Sequence, residues 1–175
     1  HVKQLHRVLL NHSAKDERHR GEYKKVDNHV EAVHPDGTKE VVFRTESPFG
    51  TPLRMQGLIA ATQEAFANAD GHPLVIIARF IVDFLAIHPF QDGNGRLSRA
   101  LTTLLLLQHG YEYVPYASLE RVIEENKTAY YVALRTSQRA MQEQPEAFGT
   151  WLIFFLRALR SQKRALEAKV DVERS

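Results

Sequence analysis

From Leu74 to Ile87 the chain is apolar on almost every side, interrupted only by Arg79 and Asp83. Apolar residues all round a helical repeat predict a helix buried on most of its surface, so other segments must wrap it. Pro89 decides where that helix ends. It lacks an N–H and disfavours helical backbone in the residue before it, so the helix stops at Ile87–His88. His88 is thereby carried out at the tip of a rigid element. The longest apolar runs are too short to span a bilayer. A chain of 175 residues, 43% hydrophobic and 25% charged, has enough apolar surface for one domain built around such a helix.

The remaining periodicities are mostly helical. Val2, Leu5, Leu9 and Leu10 share one side of a short helix over 2–10. Residues 11–25 are crowded with charge and read as a surface loop. Pro52 suits the first turn of a helix in which Met55, Leu58, Ala61, Ala65 and Phe66 recur as core positions. A helix over 94–108 would pack through Leu97, Leu101, Leu104 and Leu105 and end at Gly110. Ser118 caps a helix over 119–126, and another follows over about 127–142. The last starts near Pro145 and buries Phe148, Trp151, Leu152, Phe155 and Leu159. One region is strand-like: residues 30–44 place β-formers on either side of Pro35-Asp36-Gly37, a hairpin signal. The expected fold class is all-α, a mainly helical bundle with one β-hairpin. The expected division is one domain over 1–160, then a charged helix end or linker over 161–175.

The stretch His88-Pro-Phe-Gln-Asp-Gly-Asn-Gly-Arg-Leu-Ser-Arg99 is dense in chemistry. His88 has the side-chain type whose ordinary pKa lies near neutrality, so it can accept a proton. Asp92 is a hard oxygen ligand of the kind Mg²⁺ prefers. Gly93 and Gly95 let backbone approach a ligand, and the helix starting at Asn94 points N–H groups at an anion. Arg96 and Arg99 share a helix face and suit bidentate phosphate contacts. Phe90 reads as an anchor that packs the loop on the core. Each residue alone has a plainer reading: Asp92 a turn residue, Asn94 a cap, the arginines a solvated face. Base, metal ligand, anion nest and two arginines in twelve positions point jointly to phosphoryl or nucleotidyl transfer. His1, His6, His12, His19, His29 and His34 lie in polar, solvated stretches without a His-x-x-x-His pair, which argues against a histidine metal site.

This stretch resembles the signature of the Fic family, His-Pro-Phe-x-(Asp/Glu)-Gly-Asn-Gly-Arg-x-x-Arg, at every fixed position. The resemblance implies a Fic-like fold with its active-site loop at 88–96. It also implies transfer of AMP from ATP to a Ser, Thr or Tyr hydroxyl of a target protein. In that reading His88 is the catalytic base and Asp92 holds Mg²⁺ (or Mn²⁺). Gly93, Asn94, Gly95, Arg96 and Arg99 bind the phosphates of ATP. Tyr130, Tyr131 and Gln138 line the adenine pocket, with Gln138 where the family often has asparagine. The hairpin at about 29–45 is a flap that aligns the target through Val41, Val42, Phe43 and Arg44. The segment Gly21-Glu-Tyr23-Lys24 resembles the family's Gly-x-Tyr-Arg, with Lys24 where arginine is usual. Gly95 favours nucleotidyl transfer, because the phosphate-transferring branch carries lysine there. Removal of AMP, transfer of another phosphate-containing group and a non-catalytic interaction domain remain the alternatives.

The net charge of +2, with both signs interspersed, argues against nucleic-acid binding by this domain. The absence of cysteine and of a visible secretory leader suggests the cytoplasm, and a start at His1 suggests a fragment of a longer chain. The family's inhibitory pattern, (Ser/Thr)-x-x-x-Glu-(Gly/Asn), is approached only at Ser13–Glu17, where Arg18 breaks it. The expectation is therefore an inhibitory segment or antitoxin-like partner outside this chain, or none. The sequence leaves a homodimer open and gives no membrane partner.

Overall fold

The computed structural model describes residues 1–11, 19–33 and 37–174. They form seven α-helices, α1 Val2–Leu9, α2 Thr51–Ala67, α3 Pro73–Ile87, α4 Asn94–Gln108, α5 Leu119–Glu125, α6 Lys127–Glu143 and α7 Gly149–Arg174. A 3-10 turn, Val114–Tyr116, precedes α5. Two strands, β1 Val30–Val33 and β2 Lys39–Phe43, pair antiparallel, and a bulge falls where Val30 opposes Phe43 but Glu31 opposes Val41. The fold is thus mainly helical with one hairpin. The Pro35-Asp36 part of its turn lies outside the described residues, as does Ser13–Glu17. No helix among the described residues is long and apolar enough to cross a membrane.

The chain divides into two compact units, His1–Glu64 with Asp83–Ser98, and Ala65–Val82 with Arg99–Ser175. In the first unit His6 of α1 and Leu10 just after it are buried, and Met55 of α2 is fully buried. The end of α3 buries Phe84, Leu85 and Ile87. In the second unit the start of α3 buries Ile76, Ile77, Ala78, Phe80 and Val82, and α7 buries Trp151, Phe155, Ala158 and Leu159. Trp151 ties these two helices together, since its Nε1–H donates to the Ala78 carbonyl at 2.9 Å. Its backbone N–H donates to Ser137 Oγ of α6 at 2.9 Å, so another helix satisfies an orphan donor in the first turn of α7.

Three packing expectations need correction. On α2 only Met55 of the five expected core residues is fully buried, and Ala61 is exposed. On α4 the buried side carries Leu97, Ser98, Leu101, Thr102 and Leu106, while Leu104 is 43% exposed. Residues 104–107 are all leucine, so hydrophobicity could not say which of them faces inward. The last helix begins at Gly149 instead of Pro145, after a turn in which Ala147 N–H bonds the Gln144 carbonyl. It then continues without a break to Arg174.

Candidate active site

His88 is the first residue past α3. Its N–H closes the last helical bond, to the Phe84 carbonyl at 2.9 Å, and its φ of +53° is left-handed. Glycine usually takes that position after a helix, and a residue with a Cβ is strained there. The ring stands beside the Leu85 carbonyl, 3.3 Å from Nδ1. A carbonyl only accepts, so Nδ1 carries the proton and Nε2 keeps the lone pair. Burial pulls the imidazole pKa down to about 4; the Leu85 bond opposes this, Lys24 adds to it and Asp92 opposes it. At neutral pH His88 is therefore an uncharged base.

The loop after α3 is held from outside by residues far away in sequence. Lys24 Nζ donates to the Ile87 carbonyl at 3.0 Å, and the Lys24 N–H to the Pro89 carbonyl at 2.9 Å. Asn28 Nδ2 donates to the carbonyls of His88 at 3.1 Å and Phe90 at 2.6 Å. Lys24 Nζ also donates to Asn28 Oδ1 at 2.8 Å and Thr45 Oγ1 at 2.9 Å, while Thr45 Oγ1 donates to Asn28 Oδ1 at 3.0 Å. Lys24 is 3% exposed, and burial pulls its pKa down to about 8 against the pull of Asp27 and Glu46. The surface-loop expectation for 11–25 fails here: the only sequence sign was that Lys24 fills a position where the resemblance expects arginine.

His6 is a second correction, being 1% exposed instead of solvated. Its Nδ1 accepts the Gly21 N–H at 2.9 Å, which leaves the proton on Nε2 to donate to the Asp92 carbonyl at 3.0 Å. Its ring stacks on Phe90 at 3.8 Å, and Tyr23 lies tilted against the same ring at 5.5 Å. Phe90 itself is fully buried. Gly93 has φ +81°, and a Cβ there would meet Leu10 Cδ2 at 3.3 Å and His6 Nε2 at 3.4 Å.

The remaining motif residues divide by direction. Asn94 faces inward: its Oδ1 accepts the Phe90 N–H at 2.9 Å and its Nδ2 donates to the Phe90 carbonyl at 2.6 Å. What Asn94 and Gly95 offer an anion is thus the backbone at the start of α4, where the first N–H groups have no helical acceptor. Asp92 and Arg96 face outward and pair at 3.2 Å. Arg99, in the second unit, pairs with Glu120 of α5.

Also in the second unit, Tyr130 is buried in an aromatic cluster, edge-on to Tyr131 at 5.2 Å and to Trp151 and Phe154 at 5.7 Å each. Burial raises its hydroxyl pKa to about 12. Tyr131 is more open, with the Arg135 guanidinium 5.8 Å from its ring centre. Gln138 is 4% exposed, and its Nε2 has no hydrogen-bond partner. A groove of about 390 Å³ between α5, α6 and α7 is lined by Val122, Ala133, Ile153, Phe154 and Arg157, and includes none of the motif residues. In the hairpin, Val41 stands opposite Glu31, Val42 falls at the bulge, Phe43 is buried and Arg44 is exposed.

The Fic/DOC family profile matches residues 1–106. A Fido domain-containing protein of Dictyostelium discoideum is 31% identical over 106 residues, which cover 58% of this chain and 69% of that protein. The protein adenylyltransferase Fic of Culex quinquefasciatus is 31% identical over 108 residues, 62% of this chain but only 19% of that protein. The crystal structure of a Fic domain-containing signaling protein from Bacteroides thetaiotaomicron superposes with a TM-score of 0.71. That match covers 95% of this chain and 62% of the other at 23% identity, which speaks to the fold.

Proposed function

This chain belongs to the Fic/DOC family, and we propose that it transfers AMP from ATP to a hydroxyl of a Ser, Thr or Tyr side chain on a target protein. One observation carries this reading. An uncharged imidazole, with Nε2 open to accept a proton, is fixed at a helix tip four residues before a carboxylate and six before a helix N-terminus. The target oxygen attacks the α-phosphorus, His88 Nε2 takes its proton, and the bond to pyrophosphate breaks. General-base assistance of this kind contributes about 10²–10⁴-fold. The backbone N–H groups at the start of α4 receive phosphate oxygens, and Arg96 and Arg99 grip the outer phosphates once they leave Asp92 and Glu120.

Asp92 fits Mg²⁺ (or Mn²⁺) as a substrate-borne metal, since its side chain is 62% exposed and a lone carboxylate suffices when ATP supplies phosphate oxygens. The metal would be held by Asp92 and those oxygens and would neutralise the charge of the leaving pyrophosphate. The buried amide of Gln138, with its unpartnered Nε2, supports a hydrogen-bonding role toward adenine. Among the described residues neither hairpin strand has a second partner. This supports docking of an extended target segment along β2, past Val41, Val42, Phe43 and Arg44.

The test is incubation with a cell lysate and ATP labelled at either the α- or the γ-phosphate, for wild type and His88→Ala. Protein bands that keep the α label and vanish in the variant are expected. Retention of the γ label alone means phosphate transfer. Loss of label from a pre-labelled target means removal of AMP. No label with either ATP, in the presence of intact nucleotide binding, means a binding domain.

A further inference from the structure

Four consecutive carbonyls, Ile87 to Phe90, are each bonded by Lys24 or Asn28. The bonding groups are themselves saturated. The three protons of the Lys24 ammonium go to Ile87, Asn28 and Thr45, and both Asn28 amide protons go to His88 and Phe90. Asn28 Oδ1 takes one bond from Lys24 and one from Thr45. Nothing in this ring carries a spare donor to offer a substrate. Its bonds end on the backbone around one residue, His88, whose φ of +53° precedes a proline. The residue before proline prefers extended backbone, so without outside bonds His88 would relax toward it and move its ring from its place beside the Leu85 carbonyl.

We propose that Asn28 is a positioning residue for His88, and that with Lys24 and Thr45 it forms a closed polar ring holding the histidine's backbone in its strained conformation. The ring acts through the peptide groups and does not touch the reacting atoms. Thr45 lies two residues past β2, so one set of bonds fixes both the base of the hairpin and the histidine. The consequence for turnover rests on His88 being the general base; the geometric claim does not.

The test uses Asn28→Asp, which keeps the shape but removes both donated bonds, with Lys24→Met and Lys24→Arg. Histidines are labelled at Cε1, and the His88 signal is assigned by its absence in His88→Ala. In folded Asn28→Asp, checked by far-UV circular dichroism, the His88 signal moves or splits at pH 7.5 while the His72 and His109 signals stay. Transfer then falls about 10²-fold in kcat, with KM for ATP within about twofold, as expected when a base loses its alignment. Lys24→Arg recovers much of what Lys24→Met loses. An unmoved His88 signal in folded Asn28→Asp overturns the proposal whether or not any target is ever labelled. A moved signal with absent transfer in wild type overturns the reading of the reaction and leaves the ring standing. If Asn28→Asp does not fold, Thr45→Val removes two bonds of the ring without touching any carbonyl of the loop. The same displacement, smaller, is then expected, and its absence counts against the ring.

Discussion

At residue 88 an imidazole, a left-handed backbone and a following proline coincide, and the consequence is a pH response unlike that of an exposed histidine. Burial, reinforced by Lys24, pulls its pKa to about 4 from an ordinary 6.5. The folded protein therefore binds the proton less readily than the unfolded chain. Stability is full above about pH 6.5 and falls as pH drops toward 4, because only the unfolded state gains the proton in that window. If His88 is the general base proposed above, kcat/KM should rise with pH through a midpoint well below 6.5 and be flat at neutrality. A rate profile with its acid limb at 6.5 or above would mean that the acting base is solvated, or is not His88. Lys24, lowered to about 8, tilts stability the same way at the alkaline end, since the unfolded chain holds more protons between 8 and 10.5. A melting temperature that rises between those values in wild type and stays flatter in Lys24→Met checks that contribution.

At the scale of elements, α3 is the piece that local pattern describes best. Its apolar circumference and its stop before Pro89 are both visible in order along the chain. Which side of α4 packs inward was not visible, because four leucines in a row satisfy any stripe while Ser98 and Thr102, both buried, look polar. The same limit applies to α7. Its apolar residues mark it as a helix, but its attachment depends on Trp151, whose indole N–H reaches the Ala78 carbonyl. Trp151→Phe keeps an aromatic ring but removes the indole donor, leaving the Ala78 carbonyl only its bond within α3, which should cost about 0.5–1.5 kcal/mol. Trp151→Ala adds a cavity and should cost about 3–5 kcal/mol. Chemical denaturation followed by circular dichroism measures both, since the chain's single tryptophan is lost in each variant. If Trp151→Phe proves neutral, the indole bond to α3 contributes nothing and the docking of α7 is purely apolar.

For the molecule as a whole, the helical class and the motif were legible because both are written over short stretches. The contacts of His6, Lys24 and Asn28 with the loop were not, because they span 60 to 86 positions, and Thr45 joins them across 17 and 21. A polar residue destined for a buried carbonyl looks the same in sequence as one destined for water. The distribution of acidic groups over the whole chain also decides how a metal can enter. Among the described residues no three His, Cys, Asp or Glu side chains gather as a metal cage. Asp92 stands outward, sharing its charge with Arg96 at 3.2 Å. Mg²⁺ gives up its waters reluctantly and commonly binds through one or two carboxylates plus substrate phosphates. The metal should therefore arrive with ATP and not before it. Calorimetric titration of Mg²⁺ into the nucleotide-free protein is expected to show no saturable binding below the millimolar range, and EDTA to leave the melting temperature unchanged. With ATP present, EDTA should abolish transfer. Asp92→Ala should weaken the Mg²⁺ dependence of ATP binding while leaving the fold intact, because the loop is held by the Asp92 carbonyl and not by its side chain. Micromolar Mg²⁺ binding to the free protein, or a melting temperature that falls on chelation, would mean that the protein builds a metal site of its own.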